Sequence, residues 1–239
     1  ELQKYAVQPD LEKLYKAVAG ATQGERQAQA IVCGAMIWSA FASPAGIPLV
    51  FDVIADAQLG KPMPHNNCNA PCTPLPDEFW RAFVATVEGP EGGYDATSIT
   101  VTVAALAGVL DANYSGLSEA AAIAHPGADS PTEKTVPPLL ALATLEALPL
   151  GSLGRDLYSM WVDNGFDPEV LDRQAIGLEQ MSPALRYLNT RILQMHDVWH
   201  LVGGYQTTSL HEIAISSFQL AQFGHNYSAM FLATGATMS

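Results

Sequence analysis

Basic residues are the scarcest class in this chain, with 11 Lys and Arg against 24 Asp and Glu in 239 residues and a net charge of -13. A surface that tracks nucleic-acid phosphates needs clustered Lys and Arg, so nucleic acid is excluded as a partner. The same shortage argues against electrostatic docking on anionic lipid, and any membrane contact has to be hydrophobic. Cysteine is nearly as sparse: Cys33, Cys68 and Cys72 are too few, and odd in number, for a disulfide scaffold, which fits a reducing interior. The G-x-S-x-G elbow of serine hydrolases, the P-loop, the dinucleotide G-x-G-x-x-G and the zincin H-E-x-x-H are all missing. Charge of both signs at Lys4, Asp10, Glu12, Lys13 and Lys16 is unlike a secretory signal peptide. No charged residue occurs from Gln27 to Phe51, yet Gln, Ser and Pro break that stretch, and its unbroken apolar part, Ala30 to Trp38, is too short to span a bilayer. A buried helix ending near Pro44 is the expectation there.

What is abundant is apolar surface. Hydrophobic residues make up 49% of the chain and charged residues 15%, against roughly 25% charged in an ordinary soluble domain. A chain of this length removes roughly three quarters of its unfolded surface from water. The surplus is available for an internal ligand cavity, a homodimer interface or a membrane-facing patch.

The periodicity is helical. Leu11, Leu14, Tyr15 and Val18 recur at i, i+3, i+4 and i+7 behind a capping Asp10 and predict a helix over 10–19. Further helices are expected over 25–42, 47–57 with Pro48 in the first turn, 77–87, 139–147, 155–164, 183–200 or slightly beyond, and 209–223. Residues 60–76 hold five prolines and three asparagines and read as a loop. The β-branched stretch 97–103 fits a strand or the start of a long buried helix running into AALAGVL. Residues 124–138 are Pro-, Gly- and Ser-rich and form the best internal boundary. The expected fold is all-α, a single mostly helical domain with an apolar cavity or tunnel, in which a region 1–137 and a region 138–239 pack together.

The sharpest pattern is MHDVWH at 195–200. His196 and His200 lie four apart, so on a helix they leave one face with Cβ atoms about 5–6 Å apart, a chelating spacing. Asp197 falls about 100° from His196, within the same arc. Gly203 and Gly204 let the chain reverse, and a helix starting near Ser209 returns Glu212 toward the pair. Imidazole donors favour a transition metal over magnesium or calcium, zinc first, with another divalent ion open. Four protein ligands would close a tetrahedral zinc, whereas a catalytic site needs an exchangeable position. Two other readings stay open: Ser209-x-x-Glu212 matches a capping box, and the histidines could sit on a solvated face. His65, Cys68 and Cys72 form a weaker H-x-x-C-x-x-x-C cluster, better read as a loop with free or mutually bonded cysteines. His125 and His225 show no partners in sequence and read as surface or packing residues.

HDVWHLVGGYQTTSLHE at 196–212 reads H-D-x-x-H, eleven residues, then E. LEALPLGSLGRDLYSMWVDNGFDPEV at 145–170 precedes it in an L-P-x-G-x-L-G-R pattern followed by D-N-G. Together they resemble the family of the fourth coenzyme Q biosynthesis protein, over roughly residues 138–224, whereas residues 1–137 match no family by inspection. The resemblance implies an all-helical protein bound to a membrane without spanning it: cytoplasmic and peripheral to the inner membrane, or on the mitochondrial matrix side in a eukaryote. Its implied ligand is a polyprenylated aromatic precursor of ubiquinone, and its implied partners are those of a biosynthetic complex. The implied metal ligands are His196, Asp197, His200 and Glu212. The implied reaction is loss of the C1 carboxyl group from a 4-hydroxy-polyprenylbenzoate, with Asp197 or Glu212 as acid and Tyr205 or His211 as weaker candidates. The alternative is a prenyl-lipid-binding scaffold with a structural metal.

Overall fold

The computed structural model describes residues 2–63, 67–127, 135, 138, 140–166 and 177–238. His65, most of the 124–138 linker and residues 167–170 of the family-like segment lie outside the described residues. Twelve α-helices and no strand occur among the described residues, so the chain is all-α, as expected. They are α1 (Leu2–Tyr5), α2 (Leu11–Thr22), α3 (Arg26–Phe41), α4 (Ile47–Gln58), α5 (Asp77–Glu88) and α6 (Ala96–Ala105). Then follow α7 (Tyr114–Ala124), α8 (Leu142–Glu146), α9 (Leu153–Asn164), α10 (Pro183–Gly203), α11 (Ser209–Phe223) and α12 (Asn226–Met238).

Asp10 caps α2 by accepting the N–H groups of Glu12 at 3.0 Å and Lys13 at 3.1 Å, a feature that stabilises a helix by about 1 kcal/mol. The ambiguous β-branched stretch becomes α6 because its start is over-determined. Asp95 accepts from the Ser98 N–H at 2.7 Å, and the Ser98 hydroxyl accepts from the Asp95 N–H at 3.0 Å. That reciprocal capping outweighs the strand preference of Thr and Val. The helix expected over 139–147 is shorter, Leu142–Glu146, and is held by packing of Leu145 against Leu157 and Trp161.

α3 is the axis of the larger core. Ile37, Ala40 and Phe41 are fully buried, and Phe41 packs on Phe79 at 4.9 Å and Phe83 at 5.7 Å between ring centroids. Side chains of this size each contribute about 1.5–3 kcal/mol on burial. α1 crosses α3 at Gly34, where an added Cβ would lie 2.6 Å from the Tyr5 backbone. On its other face α3 receives α12, which inserts Ala229, Met230 and Ala233 into the same core. The uncharged run 27–51 is therefore spent on burial, and no helix among the described residues is long and apolar enough to cross a membrane.

The described part of loop 60–76 is tied to this core. Thr73 N–H donates to the Ala42 carbonyl and Ser43 Oγ to the Pro71 carbonyl, each at 2.9 Å, and Cys68 is buried against α2, α3 and α4. Cys33, Cys68 and Cys72 are all free thiols. Two grooves open on the surface, one of about 510 Å³ along α5 and one of about 390 Å³ between α4, His125 and the end of α11.

Candidate metal centre

α10 and α11 form a hairpin, and its turn is chemically specified. Pro183 sits in the first turn of α10, where its missing N–H costs nothing. Gly204 ends the helix with φ +69°, a left-handed conformation that a side chain resists. α11 starts after Thr208, not Ser209, and Thr208 makes no side-chain cap bond. The capping-box alternative for Glu212 therefore fails, and its carboxylate points to the histidines instead.

Glu212 Oε2 lies 3.3 Å from His196 Nε2, and Glu212 Oε1 lies 3.3 Å from His200 Nε2. One carboxylate thus touches both imidazoles. The rings themselves are 4.8 Å apart between centroids, at 63°. Asp197 Oδ1 is 2.9 Å from His196 Nδ1, and donor atoms of His196, Asp197 and His200 fall within 4.8 Å of one another, a spacing that could hold an ion. His200 is almost fully buried, and its Nδ1 faces the Tyr205 carbonyl at 3.2 Å. His196, Asp197 and Glu212 are each about one-third exposed, at 30%, 32% and 33%, so the cluster opens to solvent on one side. The solvated-face reading of the histidines is thereby limited to that side.

The electrostatics are those of a mutually charged cluster. Burial alone would depress His196, but its hydrogen bonds to Asp197 and Glu212 outweigh it and raise the pKa to about 9. Burial opposes ionisation of Glu212, yet the bonds from His196 and His200 bring it down to about 2. Asp197 is likewise lowered, against its burial, by His196 and by Trp161.

Trp161 is the residue that spacing could not supply. Its indole Nε1–H donates to Asp197 Oδ2 at 2.6 Å from α9. No periodicity links residue 161 to 197, although Trp161 lies within the family-like stretch. Val198 and Leu201, the other face of α10, pack on Trp161 and Leu157 and so dock α9 beside the site. Of the remaining candidates, His211 Nδ1 accepts from the Gln206 N–H, and the Tyr205 ring stands edge-on to His211. His65 lies outside the described residues.

His225 corrects the expectation that it lacks partners. It is buried, with Nε2 2.9 Å from Asn189 Oδ1 and Nδ1 2.8 Å from Ser228 Oγ. Burial, and then the charge of His196, lower its pKa to about 3, so the ring is neutral. Nε2 carries the hydrogen, because Asn189 Oδ1 can only accept, and Ser228 must donate to Nδ1. Ser228 Oγ in turn lies 2.9 Å from the Gln219 amide oxygen, while Gln219 Nε2 is buried without a partner. Exchanging that amide's oxygen and nitrogen lets Gln219 Nε2 donate to Ser228 Oγ while Ser228 donates to His225 Nδ1. His125, by contrast, accepts from the nearby Gly127 N–H at 3.1 Å and feels the charge of Asp52.

Residues 134–238 match the family model described as coenzyme Q (ubiquinone) biosynthesis protein Coq4. This segment, under half of the chain, is similar to that family. The matched segment contains His196, Asp197, His200, Glu212 and also Trp161. No curated protein and no solved structure matches the chain.

Proposed function

We propose that the chain is a metal-dependent carboxy-lyase of ubiquinone biosynthesis that removes the C1 carboxyl group of a 4-hydroxy-polyprenylbenzoate. The observation that carries this is the single Glu212 carboxylate set between two imidazoles within the matched segment. His196, Asp197, His200 and Glu212 make up the centre, with zinc the first choice of ion. Two donors on a tetrahedral zinc, with bonds of about 2.0–2.1 Å, are about 3.3 Å apart. The two imidazole–carboxylate separations of 3.3 Å support that choice.

Bound there, the ion supplies a positive charge that stabilises the electron density built up on the phenolic ring. The ring carbon takes a proton, the bond to the carboxyl carbon breaks, and its electron pair returns to the ring as carbon dioxide leaves. Both carboxylates are held ionised, so neither brings a proton as it stands. Glu212, which reaches the site with two oxygens, is able to release one, take up a proton and hand it on. Val202, Leu210 and Ile213 are exposed on the same hairpin and provide apolar surface for the isoprenoid tail.

The test is release of carbon dioxide from a prenylated 4-hydroxybenzoate by metal-loaded protein. Turnover is expected in the wild type and lost in His200→Ala, together with about one ion per chain. Protein that holds an ion but gives no turnover, with or without oxygen, is a prenyl-lipid-binding scaffold instead.

A further inference from the structure

A second layer of polar residues lies beyond the candidate centre on the same two helices. Asn189 stands seven residues before His196 on α10, and Gln219 seven residues after Glu212 on α11. Both steps lead away from the hairpin turn, so the second layer lies about 10 Å from the first along each helix. His225, in the turn between α11 and α12, joins the two sides of that layer. Its Nε2–H donates to Asn189 Oδ1 at 2.9 Å, and Asn189 Nδ2 donates to the Leu185 carbonyl at 2.8 Å. Its Nδ1 accepts from Ser228 Oγ at 2.8 Å, and Ser228 Oγ lies 2.9 Å from the Gln219 amide. Gln219, His225 and Ser228 are all buried. The next two side chains reach elsewhere: Asn226 Nδ2 donates to Ser118 Oγ on α7 at 2.5 Å, and Tyr227 Oη to the Thr100 carbonyl on α6 at 3.3 Å. Three consecutive residues thus bond to three different helices.

From this we infer that His225 is a positioning residue: by tying Asn189 on α10 to Gln219 on α11, it fixes the axial register in which His196, Asp197 and His200 meet Glu212. The function of that register rests on the metal-centre reading above, whereas its geometry rests on the buried bonds alone. Beside these bonds the two helices meet through apolar groups. Trp199 packs on Phe218 at 5.5 Å and on Phe223 at 5.3 Å between ring centroids, and Ile215 is fully buried. Contacts of that kind are non-directional and admit more than one alignment. A slip of one turn moves one helix about 5.4 Å past the other. It would part Glu212 from both imidazoles and also strip buried polar side chains of their partners, which is what makes it costly. A single buried polar residue fixes the alignment of coiled coils in the same way. With the Gln219 amide turned as above, the donors run in one direction, from Gln219 through Ser228 and His225 to Asn189 and the Leu185 carbonyl, so each bond polarises the next. The four residues of the centre are then aligned before an ion arrives, and binding costs no realignment.

The experiment measures the distance between nitroxide labels at Arg186→Cys on α10 and Ser217→Cys on α11, both exposed positions, in a Cys72→Ser background. Zinc affinity by competition with a chromophoric chelator is read beside it. Without further change the labelled protein is expected to give one narrow distance and about one ion per chain. His225→Leu, which fills the space without bonding, is expected to keep its helical content, to broaden or split the distance, and to bind zinc about 10–100-fold more weakly. His225→Gln keeps a donor for Asn189 and is expected to restore the narrow distance and most of the affinity. Leu220→Ala removes buried apolar packing from the same end of α11; it is expected to lower stability and leave distance and affinity unchanged. A narrow, unchanged distance in His225→Leu overturns the inference, and so does a loss of affinity in Leu220→Ala as large as in His225→Leu. Should His225→Leu fail to fold, Ser228→Ala makes the smallest cut in the chain of bonds, and an unchanged distance there overturns the inference equally. A protein that takes up no ion overturns the metal centre, while the label distances still decide the register, so the two failures are distinguishable.

Discussion

At the scale of single residues, His225 shows how burial is converted into pH dependence. Unfolded, its imidazole titrates near the ordinary 6.5, whereas in the fold it takes a proton only near 3. Between those values the unfolded chain binds a proton that the folded chain does not, so acidification below about 6.5 favours unfolding by up to about 1.4 kcal/mol per pH unit. Urea unfolding of metal-free protein at pH 7 and pH 5 is expected to show a loss about 2 kcal/mol larger in the wild type than in His225→Gln. Equal losses in the two proteins would refute the buried neutral ring. The sequence hid this residue because its partners, Asn189 and Ser228, lie on two helices and follow no common period. The residues of the candidate centre were legible for the opposite reason. His196 and His200 are fixed by helical spacing, and Glu212 by a glycine turn of readable length. Trp161 reaches Asp197 through tertiary packing of α9 on α10, and no local pattern encodes that approach.

At the scale of elements, the Gly204 turn decides whether Glu212 meets the histidines at all. A side chain in its left-handed conformation costs about 1–2 kcal/mol. Gly204→Ala is therefore expected to lower the thermal midpoint by about 2–8 °C for a chain of this size. Calorimetry measures this, and an unchanged midpoint would mean that the turn tolerates another conformation. Of the elements with amphipathic stripes, α5 and α11 were legible to within a residue, and α2 ran three residues past its expected end. α7 and α12 were not. α12 mixes Ser, Ala, Thr and Gly with Met, Phe and Leu on all sides, so no polar face marks its period. It is readable only as a helix surrounded by others.

At the scale of the molecule, the family-like segment leans on the rest of the chain. α12 belongs to that segment in sequence, yet its Ala229, Met230 and Ala233 are buried by α3, α5 and α6. The two regions separated by the 124–138 linker thus share one core. A fragment of residues 138–239 is expected to expose that face, to lose cooperative unfolding and to bind zinc more weakly than the full chain. Circular dichroism with denaturant and chelator competition measure this, and a fragment as cooperative and as tight as the whole would show two independent folding units.

The docking of α12 also bears on how the two regions are free to change. The larger core meets the hairpin through α12 and through α7 against α10, mostly by apolar packing, with Asn226 bonded to Ser118 and Tyr227 to the Thr100 carbonyl. Shape and greasiness are most of what that duty demands, and many sequences satisfy both. The family match begins at residue 134, so this docking is where the matched and unmatched parts of the chain have to stay complementary in shape.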